Sequence, residues 1–457
     1  MKRDLQTPAT ASAQPSRREF LRLSGKLAAG TALAGLAVPH VHAAEDNTIR
    51  LALIGCGGRG NGAVGDALRV PNSGPVKLWA MADIFSSRLE SSKGALTKVF
   101  ADRIDVSPER QFVGFDSYKQ AIDCLRPGDV AMLTGYAAFR PMQLEYAVSK
   151  GINVFMEKSF AADPPGVRRV IKASEEADKK NVKIAAGLMC RHSPARIELI
   201  KRLREGELGD LQLVRVYRME PVGPMGPKRP DEKELHYQVR NFFRFLWVAG
   251  GLYAEMTIHQ IDEICWIKDQ MPVTAHGLGG RSAANLDPAQ NLDTYSIEYT
   301  FADGTKATVG VRYLPNCHNE FATYIHGTKK AAQFSGSIHA STVHTYKDQR
   351  TAKDNIDWQA AKEPYTIWQM EWNDLIDAIR NDRPYNEGRR AAMTNLADIM
   401  GRASVHMGRI VTWDEAMESN FQWVADIDNM NDDTPAPVAI GPNGMYPSPT
   451  PGAWTEI

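Results

Sequence analysis

Cysteine is scarce and shows no pairing pattern: Cys56, Cys124, Cys190, Cys265 and Cys317 are scattered over 457 residues, and no Cys-x-x-Cys occurs. An odd, dispersed set signals neither a disulfide framework nor a zinc knuckle, so these thiols read as small core residues. A surplus of charge is also missing. Lys+Arg and Asp+Glu stand at 54 each, which leaves no basic field to attract phosphate backbones and excludes nucleic acid as an expected partner. No internal repeat is visible. No apolar run approaches the about 20 residues that cross a bilayer, so no stable membrane anchor is expected.

What is present is soluble-globular composition, 43% hydrophobic and 24% charged, in a chain too long for one ordinary core. Residues 1–44 stand apart. Ser16-Arg17-Arg18-Glu19-Phe20-Leu21 precedes an apolar stretch from Leu27 to Val38, and Val41-His42-Ala43 offers a small-residue cleavage site. A charged start, a short apolar middle and an alanine-rich end read as a removable signal. The paired arginines resemble the twin-arginine export signal, which places the mature protein in the periplasm or otherwise outside the cytoplasm; a buried N-terminal helix is the other reading.

From Thr48 the pattern is short apolar runs (Thr48–Ile54, Val76–Met81, Val130–Leu133, Ile152–Met156) separated by stretches with helical spacing such as Ser86–Phe100 and Gly166–Lys180. Buried strands alternating with helices predict a parallel sheet over residues 45–175. Beyond about residue 210, Leu211–Tyr217 and Thr294–Phe301 alternate apolar and polar residues, and Asp303-Gly304 predicts a hairpin into Lys306–Arg312. An α+β domain over 176–430 follows, with the helix near Trp368–Ile379 at the interface and residues 431–457 as an extended tail.

The first run ends at Gly55-Cys56-Gly57-Gly58-Arg59-Gly60. In a dinucleotide-binding turn the first glycine permits the bend, the next lets backbone approach the pyrophosphate, and the last lets helix and strand pack closely. The helix that follows aims its N–H groups at the phosphates. Alone the motif is weak. It gains from Asp83, 23 residues past Gly60, where a ribose-binding carboxylate is expected. A carboxylate there repels a 2′-phosphate and favours NAD over NADP, although Arg88 lies close enough to soften that preference. Thr134, directly after the third run, completes the expected cofactor contacts of the loop.

Met156-Glu157-Lys158-Ser159 and the segment Gly250-Gly251-Leu252-Tyr253-Ala254-Glu255-Met256-Thr257-Ile258-His259-Gln260-Ile261-Asp262 resemble motifs of the glucose–fructose oxidoreductase, inositol dehydrogenase and rhizopine-catabolism (Gfo/Idh/MocA) family. Gly401-Arg402-Ala403 through Val411-Thr412-Trp413-Asp414-Glu415 is also similar to members bearing export signals. The resemblance covers nearly the whole mature chain. It implies an α/β Rossmann domain followed by an α+β domain with a large, mostly antiparallel open sheet, which often forms subunit contacts, so a homo-oligomer is expected. It also implies cofactor contacts from Glu157 and Lys158, with the lysine steadying alkoxide character on the reacting oxygen.

The family's Asp-x-x-x-His pattern carries over to Glu255 and His259. On a helix these share a face, and Asp262 follows on the same stripe. Two flanking carboxylates would raise the basicity of His259, the natural general base. The stripe would also suit three metal ligands, but no further ligand cluster is evident and no metal is expected. Arg191 and His192, after the strand-like Lys183–Leu188, are candidates for substrate contact with Asp262; surface placement is the alternative. The aromatic run Phe242, Phe243, Phe245 and Trp247 reads as core or as a sugar platform. Ser159 departs from the family's usual proline, which puts the usual cis peptide in doubt, and Glu255 is one methylene longer than aspartate.

The favoured reading is an exported oxidoreductase acting on a secondary hydroxyl of a sugar, cyclitol or glycoside, its NAD loaded before export and held tightly. A second reading uses the same site to cleave a glycoside by transient oxidation and elimination. A non-catalytic sensor of sugar or dinucleotide is the third, disfavoured by Lys158 and His259 standing together.

Overall fold

The computed structural model describes residues 47–283, 285–337 and 339–457; residues 1–44, read from sequence as an export signal, lie outside them. Strand β1 (Ile49–Ile54) is buried at five of its six positions, the signature of a strand covered on both faces. It feeds helix α1 (Gly58–Leu68), after which the chain continues as β2 (Val76–Asp83), α2 (Ser86–Phe100), β3 (Gln111–Val113), α3 (Ser117–Asp123), β4 (Val130–Leu133), α4 (Arg140–Ser149), β5 (Asn153–Met156), α5 (Pro164–Lys179) and β6 (Ile184–Ala186). The six strands form one sheet in the order β3-β2-β1-β4-β5-β6, and every pairing is parallel. The order reverses beside β1, so the carboxyl ends of β1 and β4 open the crevice where α/β sheets take ligands.

The sheet takes its last strand from residues 184–186, past the boundary at 175 drawn from sequence. One face is covered from far along the chain. Trp372 stacks on Phe155 with centroids 4.5 Å apart, and Leu375 and Ile376 join the core under β1 and β2.

The second half begins with α6 (Pro194–Arg204), β7 (Leu211–Met219), α7 (Glu234–Arg240), α8 (Leu246–Ala249) and the long helix α9 (Gly251–Lys268). Strands β8 (Thr274–Gly280), β9 (Thr294–Thr300), β10 (Lys306–Arg312), β11 (Glu320–Gly327), β12 (Ala331–Gly336), β13 (His344–Tyr346) and β14 (Ile356–Gln359) follow, then α10 (Ile367–Arg380), α11 (Gly388–Met407), β15 (Val411–Thr412) and α12 (Trp413–Glu418). Among the described residues nine strands form a sheet ordered β14-β13-β12-β11-β7-β10-β9-β8-β15. All its pairings are antiparallel except β7 with β10. Residues on β9 and β10 alternate buried and open, the pattern of a sheet with one wet face. The fold class expected from sequence is the one observed.

Residues 431–457 form no regular element, yet they are fastened to the body. Glu456 is completely buried; its Oε1 accepts from Arg402 Nε at 2.8 Å and its Oε2 pairs with His406 Nδ1 at 2.9 Å. Burial alone would raise this carboxyl, but Arg402 and His406 hold it at about 2. Three cysteines are buried as expected; Cys124 is half-buried and Cys317 exposed. Removing one partner of a buried pair leaves an uncompensated charge, so Glu456→Gln is expected to cost about 3–5 kcal/mol in urea unfolding at pH 7. A cost under about 1 kcal/mol would show that the tail is not held by this pair.

Candidate functional site

The loop after β1 is built as its glycines require. Gly55 has φ +98°, and a Cβ there would sit 2.5 Å from Gly135 N; a Cβ on Gly60 would meet the Gly55 carbonyl at 2.4 Å. Substituents at those positions would split the loop from β4 or α1 from β1. Gly57 and Gly58 face open space. That space is part of a cavity of about 720 Å³, within the size range of cofactor sites. A dinucleotide fits this frame: free backbone at Gly57 and Gly58, the N-terminus of an 11-residue helix, and the buried carboxylate of Asp83 at the rim.

Asp83 is oriented by backbone. Its Oδ2 accepts from Cys56 N at 2.6 Å and its Oδ1 from Phe85 N at 2.8 Å. Thr134 Oγ1 donates to the Gly55 carbonyl at 2.6 Å, tying β4 to the glycine loop. Arg88 is engaged: it donates to Tyr136 Oη and lies over Phe85. Arg59 turns away from the expected phosphate position. Its Nε meets Glu157 at 2.5 Å, and its fork also reaches Glu371 at 3.5 Å and Asp66 at 3.6 Å.

Lys158 and Glu255 line the same cavity as the glycine loop. The Lys158 ammonium donates to Glu255 Oε2 at 2.6 Å and to the Glu255 carbonyl at 2.7 Å. Their meeting joins the end of β5 to the first turns of α9. The Lys158–Ser159 peptide is cis although no proline follows, so the doubt raised by Ser159 does not hold. Of the aromatic run, Phe242 and Phe243 line the cavity, whereas Phe245 and Trp247 are core.

His259 departs from the sequence expectation in its surroundings. Helix α9 does carry Glu255, His259 and Asp262, but Glu255 is bonded to Lys158 and Asp262 accepts two bonds of 2.8 Å from Arg191 and one of 3.0 Å from Thr394. No flanking carboxylate raises His259. Burial pushes its pKa well below the ordinary value, and His339, Lys158 and Arg218 push the same way. Its Nδ1 is buried without a partner, and its ring packs edge-on against His339 at 4.4 Å. Position counting on a helix puts residues on one face; it does not say which third residue claims each carboxylate.

Arg191, His192, His259 and Asp262 are not among the residues that line the cavity; His259 lies one turn along α9 from Glu255, which does line it. Arg191 is spent on Asp262 and on the face of Trp266. His192 Nδ1 lies 2.6 Å from Asp374, and its Nε2 lies 3.6 Å from Glu387.

Cys190, Glu263 and His339 bring three ligand-type atoms within 4.8 Å of one another, a grouping sequence did not reveal because the residues lie on three separate segments. It is poorly suited to a cation. Arg218 Nη1 is 3.4 Å from His339 Nε2; a guanidinium only donates, so that nitrogen accepts and Nδ1, the atom facing Cys190, carries the proton. Glu263 already accepts from Thr323 and Ser335 at 2.5 Å each, with Arg196 at 3.9 Å.

Sequence reading also missed Glu371 and Arg140. Glu371, 312 residues from Arg59, is fully buried on α10, and no local motif marks it. Arg140 sits at the start of α4 behind the cavity wall.

Comparison with known proteins agrees with this architecture. Residues 197–333 match the family profile described as GFO/IDH/MocA C-terminal domain. The chain is 24% identical over 273 residues to inositol 2-dehydrogenase of Agrobacterium fabrum (strain C58), covering 59% of this chain and 68% of that protein. Two solved structures share the fold: scyllo-inositol dehydrogenase from Lactobacillus casei with bound NAD(H) and scyllo-inositol (TM-score 0.58, 20% identity, 80% of this chain and 99% of that one), and aldose–aldose oxidoreductase from Caulobacter crescentus complexed with glycerol (TM-score 0.58, 17% identity, 80% and 99%).

The His192 pair gives a pH signature. Burial lowers the imidazole, but its hydrogen bond to Asp374 and the nearby charge of Glu387 outweigh this and lift it to about 10. A group raised above its unfolded value of about 6.5 gives stability that is complete below that pH and is lost as pH rises toward the folded value. Urea midpoints of the parent should therefore fall between pH 6.5 and 9.5 more than those of His192→Gln; parallel curves would contradict the assignment.

Proposed function

We propose that the chain belongs to the Gfo/Idh/MocA family and is a nicotinamide-dependent oxidoreductase acting on a secondary hydroxyl of a sugar, cyclitol or glycoside. The observation that carries this reading is the single cavity shared by the glycine loop, Asp83, Lys158 and Glu255. The names of the similar proteins, inositol dehydrogenases among them, favour a CH–OH substrate and a nicotinamide cofactor. Asp83 favours NAD over NADP, because a buried carboxylate at the cavity rim would repel a 2′-phosphate.

When bound, the nicotinamide supplies the acceptor for a hydride leaving the substrate carbon. The chain's residues do the rest. Lys158 donates a hydrogen bond to the reacting oxygen, adding positive charge where negative charge develops as the C–H pair departs. Glu255 keeps the ammonium aimed while the oxygen takes one of its donor positions. His259 accepts the hydroxyl proton. A histidine pushed down by burial stays neutral, and so able to accept, across the neutral range. Reduction of a ketone runs the same steps backward. The site is neither metal-dependent nor open to nucleic acid in this reading, and the substrate is a small carbohydrate. Subunits assemble through the open face of the nine-stranded sheet. The twin-arginine resemblance of residues 16–21 supports export of an already loaded enzyme.

Three measurements test this. Denaturing protein purified from the periplasm should release NAD, identified by chromatography; absence of nucleotide removes the retained-cofactor part. A screen of cyclitols, sugars and glycosides should find at least one that reduces the bound nucleotide. Release of an aglycone with no net change in cofactor absorbance would instead move the reading to oxidation-assisted cleavage. Lys158→Met should lower kcat on the order of 10²–10³-fold with the bound nucleotide retained; unchanged kcat would exclude the lysine from the chemistry.

A further inference from the structure

Arg140 is 1% exposed, and among the described residues its guanidinium meets no carboxylate. Its bonds all go to backbone carbonyls: Nε to Leu133 at 3.4 Å, Nη2 to Gly135 and Nη1 to Ser159. Leu133 and Gly135 bracket Thr134 at the end of β4, where Thr134 and Gly135 line the cavity. Ser159 follows Lys158 directly. One rigid fork therefore bridges the two backbone segments that carry the cofactor wall and the lysine.

A buried guanidinium without a counter-ion is costly, and here its bonds go to backbone carbonyls that an apolar side chain would leave without this donor. What the cation contributes must lie in what it holds. Burial draws its pKa down to about 10, opposed by Glu255 and Glu157, so it stays charged at neutral pH. Beyond Ser159 the loop is held from the other side. Asn395 on α11 accepts from Phe160 N at 2.6 Å and Ala161 N at 3.0 Å. Ser159 Oγ donates to the Ala254 carbonyl at 3.1 Å, the residue before Glu255. Lys158 thus projects from a loop fixed on one flank by Asn395 and α9 and on the other by Arg140.

We propose that Arg140 is a positioning residue for the reaction: its guanidinium, by gripping the carbonyls of Gly135 and Ser159 together, sets the Lys158 ammonium at a fixed height over the cofactor cavity. The proposal rests on the oxidoreductase reading for its kinetic consequence, but the geometry it describes is separate from turnover.

The test uses the full chain with its nucleotide bound and compares Arg140→Met and Arg140→Lys with the parent. Amide hydrogen exchange read by mass spectrometry should rise about tenfold or more over residues 133–136 and 158–161 in Arg140→Met, while the β9–β10 hairpin is unchanged. With a polyol that the parent oxidises, kcat should fall on the order of 100-fold, with KM and NADH affinity held within about threefold. Arg140→Lys, which keeps the charge and loses the fork, should lie between the two. If Arg140→Met does not fold, Arg140→Lys is read in the same way, with exchange raised and kcat lowered. Unchanged exchange at 158–161 overturns the proposal, as does a loss confined to NADH affinity. If the parent oxidises no polyol, the functional reading falls, and exchange alone decides the positioning role.

Discussion

The ion pair between Lys158 and Glu255 is the contact on which the site depends. It joins a strand end of the parallel sheet to the long helix α9 of the second half, and its ammonium also meets the Glu255 carbonyl. A pair this enclosed is worth having only when both ions are fully bonded and well placed. Much of the surrounding structure serves that requirement. Asn395 fixes the two amides after Ser159, Arg140 takes the Ser159 carbonyl, and Ser159 itself is hydrogen-bonded to the turn preceding Glu255.

Three carboxylates at or behind the cavity wall are paired with cations. Glu157 has Arg59, Glu255 has Lys158, and Asp262 has Arg191 and Arg390. His259 is consequently left without an anionic neighbour of its own and is kept neutral by burial. In the proposed reaction this separates two tasks, a cation that steadies oxygen and a neutral ring that takes a proton. A histidine held as a cation by a nearby carboxylate, as the helix spacing had suggested, would be unable to accept one.

The fold was largely legible because its signals are local. Buried runs such as Ile49–Ile54 and Asn153–Met156, and the hairpin at Asp303-Gly304, each announce their own structure. The glycine loop was legible for the same reason, since its turn demands glycines in order; Asp83 followed from its spacing beyond that loop, and the Lys158 motif from the family resemblance alone. What sequence could not give was partner choice over long separations. Arg59 meets Glu371 across 312 positions, Asp262 meets Arg191 across 71, and His192 meets Asp374 across 182. Only the folded topology settles such choices. The same limit hid Arg140, whose bonds run entirely to backbone and leave no pairing pattern among side chains, and it left Cys317, exposed, grouped with the core thiols.

The central claim is that the cavity beside Lys158 brings a substrate C–H bond to a bound nicotinamide. It is tested most directly by incubating the loaded protein with sugars and cyclitols deuterated at carbon and recovering the nucleotide. The account predicts one deuterium per nucleotide at C4 of the nicotinamide ring from at least one of them, with labelling slowed on the order of 10²–10³-fold in Lys158→Met. Full occupancy by nucleotide with no label on the ring from any of these substrates would contradict it.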